Sequence, residues 1–426
     1  MTAKDVKLID VQQLRIGLYV YLDLGWTEHP FPLNRFKISN DTQLAQLRQL
    51  GLRKIKYLPS RSDVEPLPPP DQSSTVVAIN NEPKAVDPET LAKKMRQELL
   101  EAQQASLEQC EQHFSRAAHS WKRVMLNARM EPVESAQTAT TLANSLVRDI
   151  AGTHEVSIRL LSEKSGEESA VHPLNVTILS ALLGNALGLS SDTLTQVALG
   201  ALLHDLGKTE VTPRCRQRDQ LSSALDIKHY QTHVDHGVQI AERMNLAPDV
   251  VAIIAQHHEW LNGQGFPGQL RGEAITELSR VVAITNHYDN LCNASNPSQA
   301  VTPHDALALM YARQRDQFDL RMLTAFIKMM GVYPPGSVVQ LSDDRYALVT
   351  SVNANRPIKP QVLIHDEGVP VSSAILINLD EVDELSITRS LKPTQLPRAV
   401  YDYLSPRMRM CYYFERLREP RVAANE

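Results

Sequence analysis

Eight of the fourteen histidines fall between His172 and His287, and acidic residues recur beside them at helical spacing. Neutral imidazole is the commonest protein metal ligand, so this density points to metal binding. The competing reading is a scatter of capping and surface histidines. Spacing sharpens the choice. Glu168 and His172 stand four apart and would share one face of a helix. His204 and Asp205 close the apolar run Val197 to Leu203, where an unpaired carboxylate would cost several kcal/mol, roughly, to bury. A cation supplies the missing partner. His229, His233 and His236 form a stripe at i, i+4 and i+7, and His257-His258-Glu259 closes a further apolar helix beginning near Val250. Mixed imidazole and carboxylate donors without a thiolate suit Fe, Mn, Mg or Zn in a two-metal site better than a structural zinc. A carboxylate such as Asp205 can bridge two ions. Lys208 lies one turn beyond His204, within reach of a phosphate resting on those ions, and Gly207 lets the backbone approach closely. Three glycines and a proline within Asn262 to Gly268 demand a tight loop, which would wall the site.

The elements that must position these groups follow from periodicity. With 426 residues, the chain exceeds one ordinary core and should divide into two or three domains. Residues 1–59 alternate short β-like runs with a helix from Asp41 to Leu50 and read as a small α+β domain. A Pro/Ser-rich linker over 60–88 and a helical connector over 89–150, interrupted at Pro132, should follow. The connector either joins a bundle or pairs with a second copy as a homodimer. From 151 to 335 the pattern is helical throughout, predicting an all-α bundle. Residues 336–426 are β-rich, with a docked tail from Arg398. The fold class is therefore multi-domain: a small α+β N-terminal domain, an all-α bundle and a small β-rich C-terminal subdomain.

Composition narrows the function classes. Hydrophobic residues make up 42% and charged residues 22%, near globular averages, and a net charge of −5 gives no global field for DNA. Cys110, Cys215, Cys292 and Cys411 are widely spaced and read as reduced thiols. With neither an apolar signal sequence nor a run suited to a membrane span, the expected location is cytoplasmic.

Over about 168–335 the arrangement resembles the HD-GYP family, the phosphodiesterase branch of the HD superfamily that hydrolyses cyclic di-GMP in bacteria. The family's HD pair and lysine match His204, Asp205 and Lys208 in HDLGK. Its flanking histidines match His172, His233, His257 and His258, and its GYP triplet is Gly265-Phe266-Pro267. Glu168 matches the glutamate of three-metal variants. Residues 7–59 are similar to a domain of unassigned function that often precedes HD-GYP domains, and the segment from Tyr333 to the family's usual C-terminal extension. The resemblance implies two divalent cations, or three with Glu168, Fe or Mn before others. It also implies a water whose pKa is lowered from 15.7 toward about 7. Asp205 and Lys208 would be the catalytic pair. Lys208, Gly265, Phe266, Pro267 and Arg280 would face the substrate.

Three positions depart from the family. Asn286 stands where a metal-binding aspartate is usual and would be a weaker ligand. Ser295 falls where an arginine contacts phosphate, and Asn262 replaces the aspartate before the GYP loop. Three functions follow. They are a cyclic di-GMP phosphodiesterase yielding the linear dinucleotide and GMP, a degenerate sensor or module that docks other signalling proteins, and an HD phosphohydrolase of ordinary nucleotides.

Overall fold

A computed structural model describes residues 6–22, 31, 35–68, 88–151, 156–162, 168–216, 223–353, 359–382 and 385–416. For 88–92, 168 and 416 it describes the backbone alone. Strands β1 (Lys7–Asp10), β2 (Tyr19–Tyr21) and β3 (Arg35–Lys37), helix α1 (Asp41–Gln49) and strand β4 (Lys54–Tyr57) form the N-terminal domain. Its antiparallel sheet runs β1-β4-β2-β3 around a core of its own that includes Leu14, Leu18, Val20, Ile38 and Leu47. Asn40 caps α1 by accepting from the Gln43 amide, which satisfies one of the helix's unpaired donors. The predicted linker starts later than its composition suggests. Ser62 accepts from the Tyr19 amide at 2.9 Å and the Leu67 amide donates to Gln13 at 2.9 Å, so the chain to residue 68 packs on this domain. Residues 69–87 lie outside the described residues, as does most of the segment Glu28 to Pro32, where Phe31 alone is described, tilted against Phe36.

The connector is two helices, α2 (Pro88–Asn127) and α3 (Pro132–Ala151), broken where Pro132 predicts. After strand β5 (Val156–Leu160) come α4 (Glu168–Ala186), α5 (Ser191–Leu203), α6 (Ala224–Arg243) and α7 (Pro248–Gln256). They are followed by α8 (Glu277–Cys292), α9 (Pro303–Arg313) and α10 (Leu320–Met330). Helix α4 is the axis of this bundle. It packs on α3, α5, α8 and α10, which is why nearly its whole surface is apolar and buried.

The C-terminal strands are β6 (Val338–Leu341), β7 (Tyr346–Asn353), β8 (Gln361–Ile364), β9 (Ile377–Asn378) and β10 (Ile387–Leu391), then helix α11 (Arg398–Leu404) and strand β11 (Tyr412–Arg416). The three-part architecture expected from the sequence is present: an α+β N-terminal domain, an all-α bundle and a β-rich C-terminal subdomain.

One strand departs from the sequence reading. Strand β5 falls in the segment read as wholly helical, yet it completes the C-terminal sheet, whose order is β10-β6-β7-β5-β11 with β8 and β9 branching from β7. Its five residues are all buried, which accounts for Val156, Ile158 and Leu160 but puts Arg159 in the interior. Glu415 on β11 answers that charge at 2.5 Å, and Ser106 on α2 hydrogen-bonds both residues. Arg159 thus joins the connector helix to the sheet. Gln103 adds a second tie, donating to Leu376 O at 3.0 Å and accepting from Leu376 N at 2.9 Å. Among the described residues no helix is long and apolar enough to cross a membrane. All four cysteines are buried and unpaired.

Candidate metal centre

Four helix segments converge on one point. Helix α4 brings His172 and the end of α5 brings His204 and Asp205; α6 brings His233, and the end of α7 brings His257 and His258. Three of the imidazoles are oriented by one local device. The Nδ1 atoms of His204, His233 and His257 lie 2.6, 2.6 and 2.8 Å from the carbonyls of Ala201, Tyr230 and Ile254, each three residues back. A carbonyl only accepts, so each Nδ1 carries the proton and each Nε2 presents a lone pair to the centre.

These lone pairs face one another. His172 and His204 approach Nε2 to Nε2 at 3.2 Å, and His233 and His257 at 3.3 Å. With no proton between His233 and His257 the contact is repulsive. It suits two ligands of one ion, since metal–nitrogen bonds of about 2.1 Å leave neighbouring donors about 3 Å apart. Asp205 lies between the pairs. Its Oδ2 is 3.3 Å from His204 and 3.5 Å from His172, and its Oδ1 is 3.5 Å from His233 and 3.9 Å from His257. Oδ1 is buried and accepts no hydrogen bond, an arrangement a cation would satisfy. Two donor groups share this carboxylate: His172, His204 and Asp205, and Asp205, His233, His257 and His258. The residues present therefore fit a binuclear centre.

Electrostatics agree with that geometry. Burial alone would raise the Asp205 carboxyl, but the Lys208 ammonium at 2.6 Å and the imidazoles of His204 and His233 outweigh it and hold it well below the usual carboxylate range. Burial would lower Lys208, and Asp205 instead raises it. Burial pushes His233 down to about 4, and burial followed by the neighbouring imidazoles lowers His257 and His258 strongly. His233, His257 and His258 are held neutral and Asp205 ionised, the states in which these groups bind metal.

Two glycines make the convergence possible. A Cβ on Gly207 would lie 1.9 Å from His233 O and 2.4 Å from Gly237 N, so only glycine lets the Leu206–Thr209 turn bear directly on α6. A Cβ on Gly265 would lie 2.5 Å from His258 O and from Glu259 Cα, so the loop is pressed against the histidine pair. There Phe266 stacks on His258 with centroids 4.3 Å apart, and the buried Glu259 carboxylate accepts from the amides of Gly268 and Leu270 at 2.5 and 2.9 Å. Gly207→Ala is expected to lower stability by about 3 kcal/mol, the upper end for overpacking, and to reduce bound metal. Thermal unfolding and metal analysis check this, and an unchanged melting temperature would contradict the close approach.

Not every expected residue joins the centre. The side chain of Glu168 lies outside the described residues, although α4 begins at that position. His229 and His236 share a helix with His233 but not its destination. His229 Nε2 faces the Thr212 amide at 3.5 Å, and His236 lines a surface hollow with Arg129, Gln239 and Arg243. Asn286 is buried nearby, but its Oδ1 accepts from Asn290 at 2.8 Å and its Nδ2 points to His257 O at 3.4 Å. Arg280, expected on the substrate side, is engaged elsewhere. It donates to the carbonyls of Ile275 and Gly272 and pairs with Asp319 at 3.5 Å, which leaves its guanidinium stapling the 272–275 turn.

Three neighbours lie outside the expected ligand set. Tyr230 sets its hydroxyl 3.4 Å from His258 Nε2 and its ring 5.5 Å from the Lys208 ammonium. Glu259, quoted only as part of a motif, ties down the loop. Asp289 accepts from His172 Nδ1 at 2.7 Å rather than entering the donor groups itself. Its position one helical turn after Asn286 was the available signal.

A profile of the HD domain matches residues 138–322, a span that contains every donor of both groups. Residues 138–322 are thus an HD domain. Ahead of its HD domain, residues 6–139 match a domain of unknown function, DUF3391, which therefore extends through α2. A cyclic di-GMP phosphodiesterase of Pseudomonas aeruginosa is 25% identical over 363 residues, 84% of this chain and 85% of that protein. A cyclic di-GMP phosphodiesterase response regulator of Xanthomonas campestris is 30% identical over 152 residues, 35% of this chain and 40% of its own. The solved structure of an HDG"Y"P protein from Bdellovibrio bacteriovorus overlays with a TM-score of 0.41 at 19% identity, covering 76% of this chain and 98% of its own. The Asp and His donors of the HD site are intact here, and the triplet reads Gly265-Phe266-Pro267.

Proposed function

We propose that this chain is a metal-dependent phosphodiesterase of the HD-GYP branch that opens cyclic di-GMP to its linear dinucleotide and then releases GMP. The observation that carries this reading is the single carboxylate of Asp205 shared by two donor groups, with Lys208 on the same oxygen as one of them. Similarity to a named cyclic di-GMP phosphodiesterase over most of both chains supports the substrate. When bound, two divalent cations, Fe or Mn on this oxygen- and nitrogen-rich donor set, supply an activated water and neutralise phosphate charge.

The chain's own residues do the rest. His172, His204, His233 and His257 hold their protons on Nδ1 and turn Nε2 to the centre. Lys208, with 23% of its side chain exposed, offers its ammonium to a non-bridging phosphate oxygen. Phe266 covers the His258 ring and keeps bulk water from that side of the centre. Metal-loaded protein is expected to convert cyclic di-GMP to linear product by chromatography under reducing conditions. A preparation carrying two ions per chain that leaves cyclic di-GMP intact would overturn the reading.

Asn286 favours a second reading, a domain that binds the dinucleotide or docks a signalling partner without turnover. Its amide oxygen is already bonded to Asn290 and adds no negative charge to the centre. Asn286→Asp separates the two. In the first reading it changes an activity already present; in the second, turnover appears only in the variant.

A further inference from the structure

His172 differs from the other inward histidines in what orients it. His204, His233 and His257 each lean on a carbonyl of their own helix three residues back, a contact the helix itself guarantees. His172 leans on Asp289, a fully buried carboxylate on another helix. The Oδ2 of Asp289 accepts from His172 Nδ1 at 2.7 Å, which leaves His172 Nε2 facing His204 and Asp205.

The other oxygen of Asp289 is held by two asparagines, one on α4 and one at the end of α8. Oδ1 accepts from Asn175 Nδ2 at 2.7 Å and from Asn293 Nδ2 at 2.9 Å. Both amides are in turn set by the backbone leading into β11. Asn175 Oδ1 accepts from the Tyr412 amide at 2.9 Å, and its Nδ2 also donates to Met410 O at 2.8 Å. Asn293 Oδ1 accepts from the Met410 amide at 2.7 Å, and its Nδ2 donates to the same Met410 carbonyl at 2.9 Å. A backbone donor fixes which way each amide faces, so neither asparagine can turn without losing a bond. Asn175 and Asp289 are fully buried, where an unmade bond is expensive.

We infer that Asn175, Asn293 and Asp289 are positioning residues through which Met410 and Tyr412 of the C-terminal extension set the His172 ligand. The extension would then govern one of the two metal positions. His172 belongs to the group with His204 and Asp205, whereas the group with His233, His257 and His258 has no member tied to residues 410–412. The consequence is asymmetric: a loosened network weakens one ion and spares the other. This inference rests on the binuclear reading above, and its test can fail separately.

Full-length protein is stripped by chelator and titrated with Mn(II), followed by calorimetry and by electron paramagnetic resonance, which distinguishes a coupled pair from an isolated ion. Native protein is expected to take two ions and give the coupled signal. Asp289→Asn, Asn175→Ala and Asn293→Ala are expected to weaken one binding step by about 10- to 100-fold, the usual effect of removing an outer hydrogen-bond partner. The other step stays unchanged, and the signal becomes that of an isolated ion. Gln103→Ala, which unties Leu376 just ahead of β9 in the C-terminal subdomain, is the control for general loosening and should lower the melting temperature without separating the two steps. If the asparagine and aspartate variants titrate like the native chain, or lose both ions equally, the inference is wrong. If native protein takes up no ion, the metal reading fails and this inference with it.

Discussion

Asp205→Asn is expected to empty the centre and lower turnover of cyclic di-GMP by three orders of magnitude or more, about 4 kcal/mol of transition-state stabilisation. The carboxylate contributes one oxygen to each donor group, so the substitution removes a charged ligand from both positions at once. Its loss also leaves the Lys208 ammonium without the partner that now lies 2.6 Å away. The amide that replaces it is neutral and presents one acceptor where two are used. Metal content per chain and product formation should be measured on the same preparation, beside Lys208→Met. The lysine variant should keep both ions and lose phosphate binding, seen as a rise in KM. An Asp205→Asn protein that holds two ions and turns over at a tenth of the native rate would remove the basis for a shared carboxylate.

Chelation should have an effect of similar size on activity and a distinct signature in stability. Stripped protein is expected to lose turnover and to regain it on addition of Mn(II), or of Fe(II) under anaerobic conditions. Its melting temperature should fall, because ions that bind only the folded chain stabilise it by mass action. Acidification should lower it further. His233 has a folded pKa of about 4 against an ordinary value of 6.5, so between those values the unfolded chain holds more protons. Stability is thus fully present above about pH 6.5 and is lost as pH falls toward 4, by about 3 kcal/mol from this residue alone. His257 and His258 act in the same direction, since burial lowers both. Asp205 is also depressed, and its contribution is lost only at more acid pH, below the ordinary carboxylate range. A stripped chain whose melting temperature is flat from pH 7 to pH 4 would mean that these imidazoles are not held neutral by burial.

How much of this was legible in the sequence depends on how local the cause is. The helices of the bundle and the clustered donors His172, His204, Asp205, His233, His257 and His258 could be read because apolar runs and four-residue spacings are properties of one segment. The stripe of three histidines on α6 misled in part. Residues four apart on a helix are about 6 Å apart along its axis, too far for all three to reach one cluster, and His229 and His236 end elsewhere. The partners of Arg280 could not be read, because its donors meet the carbonyls of Gly272 and Ile275, acceptors that exist only once the intervening turn has formed. Strand β5 was missed for the same reason on a larger scale. Its five residues carry too weak a pattern alone, and their partners on β7 and β11 lie some two hundred residues or more downstream.

That separation governs the order of assembly. During synthesis every inward histidine has been made by residue 258, yet β5 still lacks the neighbour at residues 412–416 that closes one of its sides. Until that neighbour docks, Arg159 has no counter-charge from Glu415 and the flank of β5 is an open template for another chain. Pairings this distant are slow to form, so the nascent bundle must wait, collapsed but incompletely latched, for its closing strand.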